Sequence, residues 1–154
     1  MRVPARRKDD HVATVELTAE NFDAVAGGTE LILVDFWASW CGPCRMFGPI
    51  FERAAGKHID LTFGKVDTEA QPELAQAFGI TSIPTLMVIK DKVVLFAQPG
   101  ALPEAALEEL IASARDVDMA QVRARMKQDK AEVAGAGEVA GAGEVAGAAA
   151  GAGA

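Results

Sequence analysis

The sequence predicts an α/β domain with a central mixed sheet and helices on both faces. Three observations carry this expectation. Strand-type and helix-type patterns alternate as βαβαβα over the first half of the chain, an order that implies parallel crossovers. The run Leu31-Ile32-Leu33-Val34-Asp35-Phe36-Trp37 is almost continuously apolar, as in strands buried on both faces. Two β-rich runs, Pro84 to Ile89 and Val93 to Ala97, are then separated by Lys90-Asp91-Lys92, a spacing suited to an antiparallel hairpin.

Each element has its own local reason. Val12 to Leu17 is rich in β-formers, and Thr18 precedes a short helical stretch bearing Phe22 and Val25, which Gly27 and Gly28 end. The Leu31 to Trp37 run belongs at the centre of the sheet. From Pro43, the positions Met46, Phe47, Ile50, Phe51 and Ala54 recur at helical spacing, with Pro49 inside the pattern, predicting a long helix kinked near that proline. Leu61, Phe63 and Val66 suggest the next strand. Pro72 suits the first turn of a short helix that Gly79 stops. After the hairpin, Gly100 leads to an amphipathic helix carrying Leu102, Ala106, Leu107, Leu110 and Ile111.

The chain has 154 residues, 50% of them hydrophobic and 24% charged, which suits one domain plus accessory segments. The domain is expected over residues 12–114. Residues 1–11, with Arg2, Arg6, Arg7 and Lys8 followed by Asp9 and Asp10, read as a flexible arm. Residues 115–130 could form a charged, solvated or partly formed helix whose apolar stripe is only Met119, Val122 and Met126. Residues 131–154 contain only Gly, Ala, Glu and Val, repeat Glu-Val-Ala-Gly-Ala-Gly with a period of six, and read as a disordered tail.

A net charge of -7 argues against nucleic acid or an anionic membrane as partner, since a phosphate-binding surface needs concentrated Lys and Arg. No stretch approaches the roughly 20 apolar residues that span a bilayer. With no export signal recognisable, the expected location is cytoplasmic. In that reducing compartment a pair of cysteines is more often catalytic or metal-binding than structural.

The only two cysteines, Cys41 and Cys44, stand as C-x-x-C between the apolar strand and the long helix, the context that makes the motif a redox hypothesis. A thiol at a helix N-terminus faces unpaired N–H groups and the positive end of the dipole, which favour the thiolate. Cys41 is therefore the expected nucleophile, exposed and acidified, and Cys44, one turn into the helix, the resolving thiol. Pro43 stiffens the turn between them. The competing reading is zinc, but structural zinc takes four Cys or His ligands, and beyond the two cysteines the chain has only His11 and His58. No metal is expected.

Asp35, six residues before Cys41, is costly inside an apolar strand unless it works, because burial raises its pKa and makes it a usable base. The competing reading is a strand-edge acid exposed to water.

At these residues the chain resembles the thioredoxin family. The resemblance covers about Val12 to Ala114 and rests on Val34-Asp35-Phe36-Trp37-Ala38-Ser39-Trp40-Cys41-Gly42-Pro43-Cys44, on Ile83-Pro84-Thr85 and on Gly100. It implies a thioredoxin fold and reduction of disulfides in target proteins, with a redox-active Cys41–Cys44 disulfide, no bound cofactor, and NADPH used indirectly through thioredoxin reductase. It implies that Asp35 accepts or relays the Cys44 proton and that Lys65 pairs with Asp35 or its water, against the alternative of an ordinary surface lysine. Trp40, Gly42, Pro43, Ile83, Pro84 and Gly100 would form the apolar platform where substrate docks, with Trp37 beneath it. Pro84 matches a cis-proline of the family, although sequence leaves the isomer open. The partners implied are thioredoxin reductase and disulfide-containing proteins, met by a monomer.

Two other readings stay open. A disulfide oxidant or isomerase would share the fold, but Gly-Pro inside C-x-x-C resembles the reducing members, whereas a His there favours oxidants. A binding or processivity subunit would use the platform without redox chemistry. One departure from the family is Asp91-Lys92 at the hairpin turn, where a glycine is usual and where positive φ would be strained.

Overall fold

A computed structural model describes residues 13–135, with side chains to residue 131. The expected flexible arm and most of the Gly/Ala-rich tail lie outside the described residues.

The elements follow as β1 (Val15–Glu16), α1 (Phe22–Gly27), β2 (Leu31–Trp37), α2 (Gly42–Lys57), β3 (Thr62–Asp67), α3 (Pro72–Ala77), β4 (Thr85–Lys90), β5 (Val93–Pro99), α4 (Glu104–Asp116) and α5 (Met119–Gly135). The five strands form one sheet in the order β1-β3-β2-β4-β5. β3 runs parallel to both β1 and β2, whereas β4 is antiparallel to β2 and β5. β2 is thus central, with neighbours on both edges and burial from Leu31 to Phe36, which is why its sequence shows no polar alternation.

Period-2 alternation divides β2 between two cores. Leu31 and Leu33 pack with Phe47 and Phe51 of α2, Phe63 of β3, and Leu107 and Ile111 of α4. Ile32, Val34 and Phe36 face the other way, toward Phe22 of α1, Leu74 of α3 and Met87 of β4. Each large apolar side chain so buried contributes about 2 kcal/mol of transfer free energy. The same parity puts Asp35 on the α2 and α4 side of the sheet. Gly64 of β3 is required by packing, because a Cβ there would overlap the Leu17 side chain, itself wholly buried.

The first strand is shorter than Val12 to Leu17, although the Leu17 N–H still bonds the Lys65 carbonyl at 2.8 Å. At the β4–β5 turn both Asp91 (φ 49°) and Lys92 (φ 66°) are left-handed, the backbone of a two-residue turn that matches strand twist. Neither residue is glycine, so the turn carries the strain expected from the sequence. Lys92→Gly is expected to stabilise the domain by about 0.5–1 kcal/mol, the relief of left-handed strain less the extra entropy of an unfolded glycine. A urea midpoint that stays put or falls would show that the lysine is unstrained there.

At the C-terminal side the helix runs past its expected end. The segment expected as a solvated or partly formed helix is α5, which continues five residues into the stretch beginning at residue 131 that reads as tail. Lys90, at the end of β4 and only 5% exposed, donates to the carbonyls of Ala114 (2.9 Å), Arg115 (2.9 Å) and Val117 (3.0 Å). Those carbonyls lie at the C-terminal end of α4, where only that of Ala114 also accepts a backbone N–H, from Val117 at 3.4 Å, so one ammonium caps the helix. Asp118 then receives the N–H groups of Ala120 and Gln121, Met119 is buried, and Arg123 pairs with Asp91 at 3.1 Å.

Candidate active site

The β2–α2 connection sets the chemistry. β2 ends at Trp37, and Cys41, with extended backbone (φ -85°, ψ 115°), is the N-cap of α2. Its Sγ accepts the Cys44 N–H at 3.2 Å. Pro43 in the first turn has no N–H to leave unsatisfied. The two sulfurs are joined as a disulfide, with Cα atoms 5.2 Å apart. Of the expected asymmetry between the cysteines, the positional part is present: Cys41 alone receives an α2 N–H. The exposure part is corrected, since both residues are buried, Cys41 at 4% and Cys44 at 5%, because neighbouring loops close over them.

One of those loops contains Ile83 and Pro84. Cys41 Sγ lies 3.7 Å from the Ile83 carbonyl oxygen, and the Ile83–Pro84 peptide bond is cis. Gly100 (φ 108°) donates its N–H to the Pro84 carbonyl at 2.8 Å. Three sequence-distant segments therefore meet at the disulfide. Trp40 stands 65% exposed beside it, and Gly42, Pro43 and Gly100 are exposed as well. Met46, counted in the sequence among the apolar positions of the long helix, is 72% exposed. It enlarges the apolar face, and only the true phase of α2 separates it from the buried Phe47.

Asp35 is fully buried, and neither of its carboxylate oxygens has a hydrogen-bond partner. Burial raises its pKa from 3.8 to about 7, the charge of Lys65 offsetting part of the shift. A strand-edge acid exposed to water is excluded. Lys65 is the register partner of Asp35 on β3, yet its ammonium sits 4.9 Å from the centroid of the Trp37 ring and makes no hydrogen bond to the acid. Of the two expected pairings, with Asp35 or with its water, the direct one is not formed, and the long Lys65 side chain makes a cation–π contact over Trp37. Trp37 is half-buried.

A cavity of about 340 Å³ opens beside Cys44, between Trp37, Ser39, Arg45, Glu52 and Lys65. Arg45 crosses the loop, with Nε and one Nη donating to the Ser39 carbonyl at 3.2 and 3.0 Å. Nothing in the residue pattern announces this bridge. Among the described residues no group of three or more His, Cys, Asp or Glu could hold a metal ion, and His58 bonds Glu108 instead. No described helix is long and apolar enough to cross a membrane.

Comparison with known proteins agrees with this geometry. Residues 13–113 match the family model described as Thioredoxin.

The chain belongs to the thioredoxin family.

A Streptomyces coelicolor protein that goes by the name of thioredoxin 2 is 61% identical over 120 residues, covering 78% of this chain and 90% of its own. A thioredoxin of Alicyclobacillus acidocaldarius is 42% identical over 104 residues, or 64% of this chain and 99% of that one. Among solved structures, a mutant thioredoxin from Halobacterium salinarum superposes with a TM-score of 0.64 at 31% identity, covering 68% of this chain and 93% of that one. Plasmodium falciparum thioredoxin gives 0.61 at 34%, covering 65% and 98%. With the thioredoxin fold and a cysteine pair at disulfide distance, the protein is a thiol–disulfide oxidoreductase acting on protein disulfides.

Proposed function

We propose that the protein works in the reducing direction, as a monomeric cytoplasmic reductase of target-protein disulfides, itself re-reduced by thioredoxin reductase at the expense of NADPH. The observation that carries the exchange chemistry is Cys41 at the N-cap of α2, its Sγ receiving the Cys44 N–H, an arrangement that stabilises a thiolate on Cys41 once the disulfide is opened. The reducing direction rests on Gly42-Pro43 between the cysteines, which resembles the reducing members.

In the reduced protein the Cys41 thiolate attacks one sulfur of the target, and the other target sulfur leaves with the electron pair of the broken bond. Cys44 then loses its proton and attacks Cys41 Sγ, which frees the second target thiol and regenerates the Cys41–Cys44 disulfide. Two electrons have moved to the target. Asp35 is the acceptor of the Cys44 proton, since its pKa of about 7 lies close to working pH. Lys65 acts on that acid through its charge rather than by a bond. Trp40, Gly42, Pro43, Ile83, Pro84 and Gly100 form the docking platform, where the exposed indole and the backbone beside Pro84 meet the target chain. No bound cofactor is needed for dithiol exchange.

The test is insulin reduction with NADPH and a bacterial thioredoxin reductase, followed by NADPH oxidation and by precipitation of the freed chains. Catalytic turnover that saturates with reductase supports the proposal. A protein that instead only oxidises reduced, unfolded substrates would make it an oxidant.

A further inference from the structure

The three stretches that converge on the disulfide are Phe36 to Phe51, Gly79 to Thr85 and Ala97 to Pro103. In a chain that is 24% charged, they contain a single charged residue, Arg45. Their convergence rests on the 3.7 Å approach of Cys41 Sγ to the Ile83 carbonyl and on the Gly100 to Pro84 hydrogen bond. The guanidinium is exposed but not free to wander, because two of its N–H groups are held on the Ser39 carbonyl. A cation fixed in this way loses less conformational freedom when it binds an anion than an unanchored lysine would.

The charges bordering this face are few. Lys65 adds a second cation to the wall of the Cys44 cavity, over the Trp37 ring, and Glu52 is the one acid lining it. Asp67 and Glu69 lie at the rim beyond Trp37, where the Asp67 carboxylate is already engaged by the N–H groups of Glu69 and Ala70. The protein as a whole carries -7, so an acidic target is repelled at long range, and its local preference must come from the site.

We propose that Arg45 is a specificity-determining residue, which selects target polypeptides that carry a carboxylate side chain next to the disulfide and seats that carboxylate at the mouth of the cavity beside Cys44. The inference rests on the reductase reading, since it concerns which disulfides that reaction takes. The remaining N–H groups of the guanidinium are the donors that meet the carboxylate. The chemistry of exchange is unchanged.

Three peptides with the same disulfide and flanking Glu, Gln or Lys residues test this, each reduced in single turnover by the dithiol form of the full chain at low and high salt. Wild type is expected to favour the Glu peptide over the Lys peptide by about fivefold in kcat/KM at low salt, falling toward unity as salt screens the pair. Arg45→Glu should invert the order, and Arg45→Gln should abolish it. The Gln peptide normalises out any effect of position 45 on cysteine reactivity, because such an effect moves all three substrates alike. An unchanged Glu-to-Lys ratio in Arg45→Glu overturns the inference while leaving the reductase reading intact. Failure of wild type to reduce even the Gln peptide would overturn the reductase reading itself.

Discussion

Cys41→Ser abolishes disulfide reduction, with a loss of roughly four orders of magnitude or more, as expected when the sole nucleophile is removed. Cys44→Ser has a different outcome: it captures targets and fails to release them. The difference follows from position rather than exposure, since both cysteines are equally buried. Only Cys41 caps α2 and draws an N–H onto its sulfur, so its thiolate is the more stabilised of the two and the better attacking group near neutral pH. Without Cys44 the mixed disulfide on Cys41 has no intramolecular exit. Intact-protein mass spectrometry of the two variants after exposure to a disulfide peptide checks this. Stable adducts on Cys44 in Cys41→Ser, with none on Cys41 in Cys44→Ser, would reverse the assignment.

Asp35→Asn raises stability above neutral pH and slows product release. The acid holds its proton in the fold up to about pH 7 but loses it near 3.8 when unfolded. Between those values the native state binds the extra proton, so stability falls as pH rises through the interval. Above it the whole penalty applies, about 4 kcal/mol at 1.36 kcal/mol per unit. Asparagine removes that penalty, and burying its amide donors without partners costs about 1–2 kcal/mol. A net gain of about 2–3 kcal/mol is therefore expected at pH 8, shrinking to nothing or reversing near pH 4. Urea titrations at the two pH values test it, and an equal effect at both would show that the fold leaves the Asp35 pKa unshifted.

Kinetics give the complementary signature. Wild-type resolution should rise through pH 7 as Asp35 becomes able to accept a proton, whereas the variant must wait for the Cys44 thiol to ionise unaided, near 8.5 for an ordinary cysteine. The two profiles should part most between those pH values and approach one another on either side. Superimposable profiles would remove Asp35 from proton transfer.

The sheet was largely legible because its patterns are local. β2 announces itself as an apolar run, and the hairpin as two β-rich runs with a short break. Cys41 and Cys44 were legible because a strand, a C-x-x-C and a helix pattern stood in succession. What escaped depended on contacts distant in sequence. Nothing around residue 119 reveals that Lys90 will close the preceding helix. The resemblance puts Lys65 near Asp35, but whether its ammonium turns to the acid or to Trp37 is settled by the half-buried ring beside it. Met46 reads as one of the apolar positions of a helix whose phase decides which side chains leave the core.

The Lys90 cap also fixes where the molecule can be held. Pro84 precedes β4 at the disulfide, and Lys90 ends that strand about 20 Å away, so the α4–α5 joint sits at the opposite pole of the sheet. From that joint α5 extends seventeen residues, a rod of about 25 Å. A tether, surface or fusion partner attached at the end of α5 therefore pulls on the pole remote from catalysis. Force applied there meets the Arg123–Asp91 pair and then the Lys90 ammonium with its three carbonyls, contacts at this pole rather than at the platform.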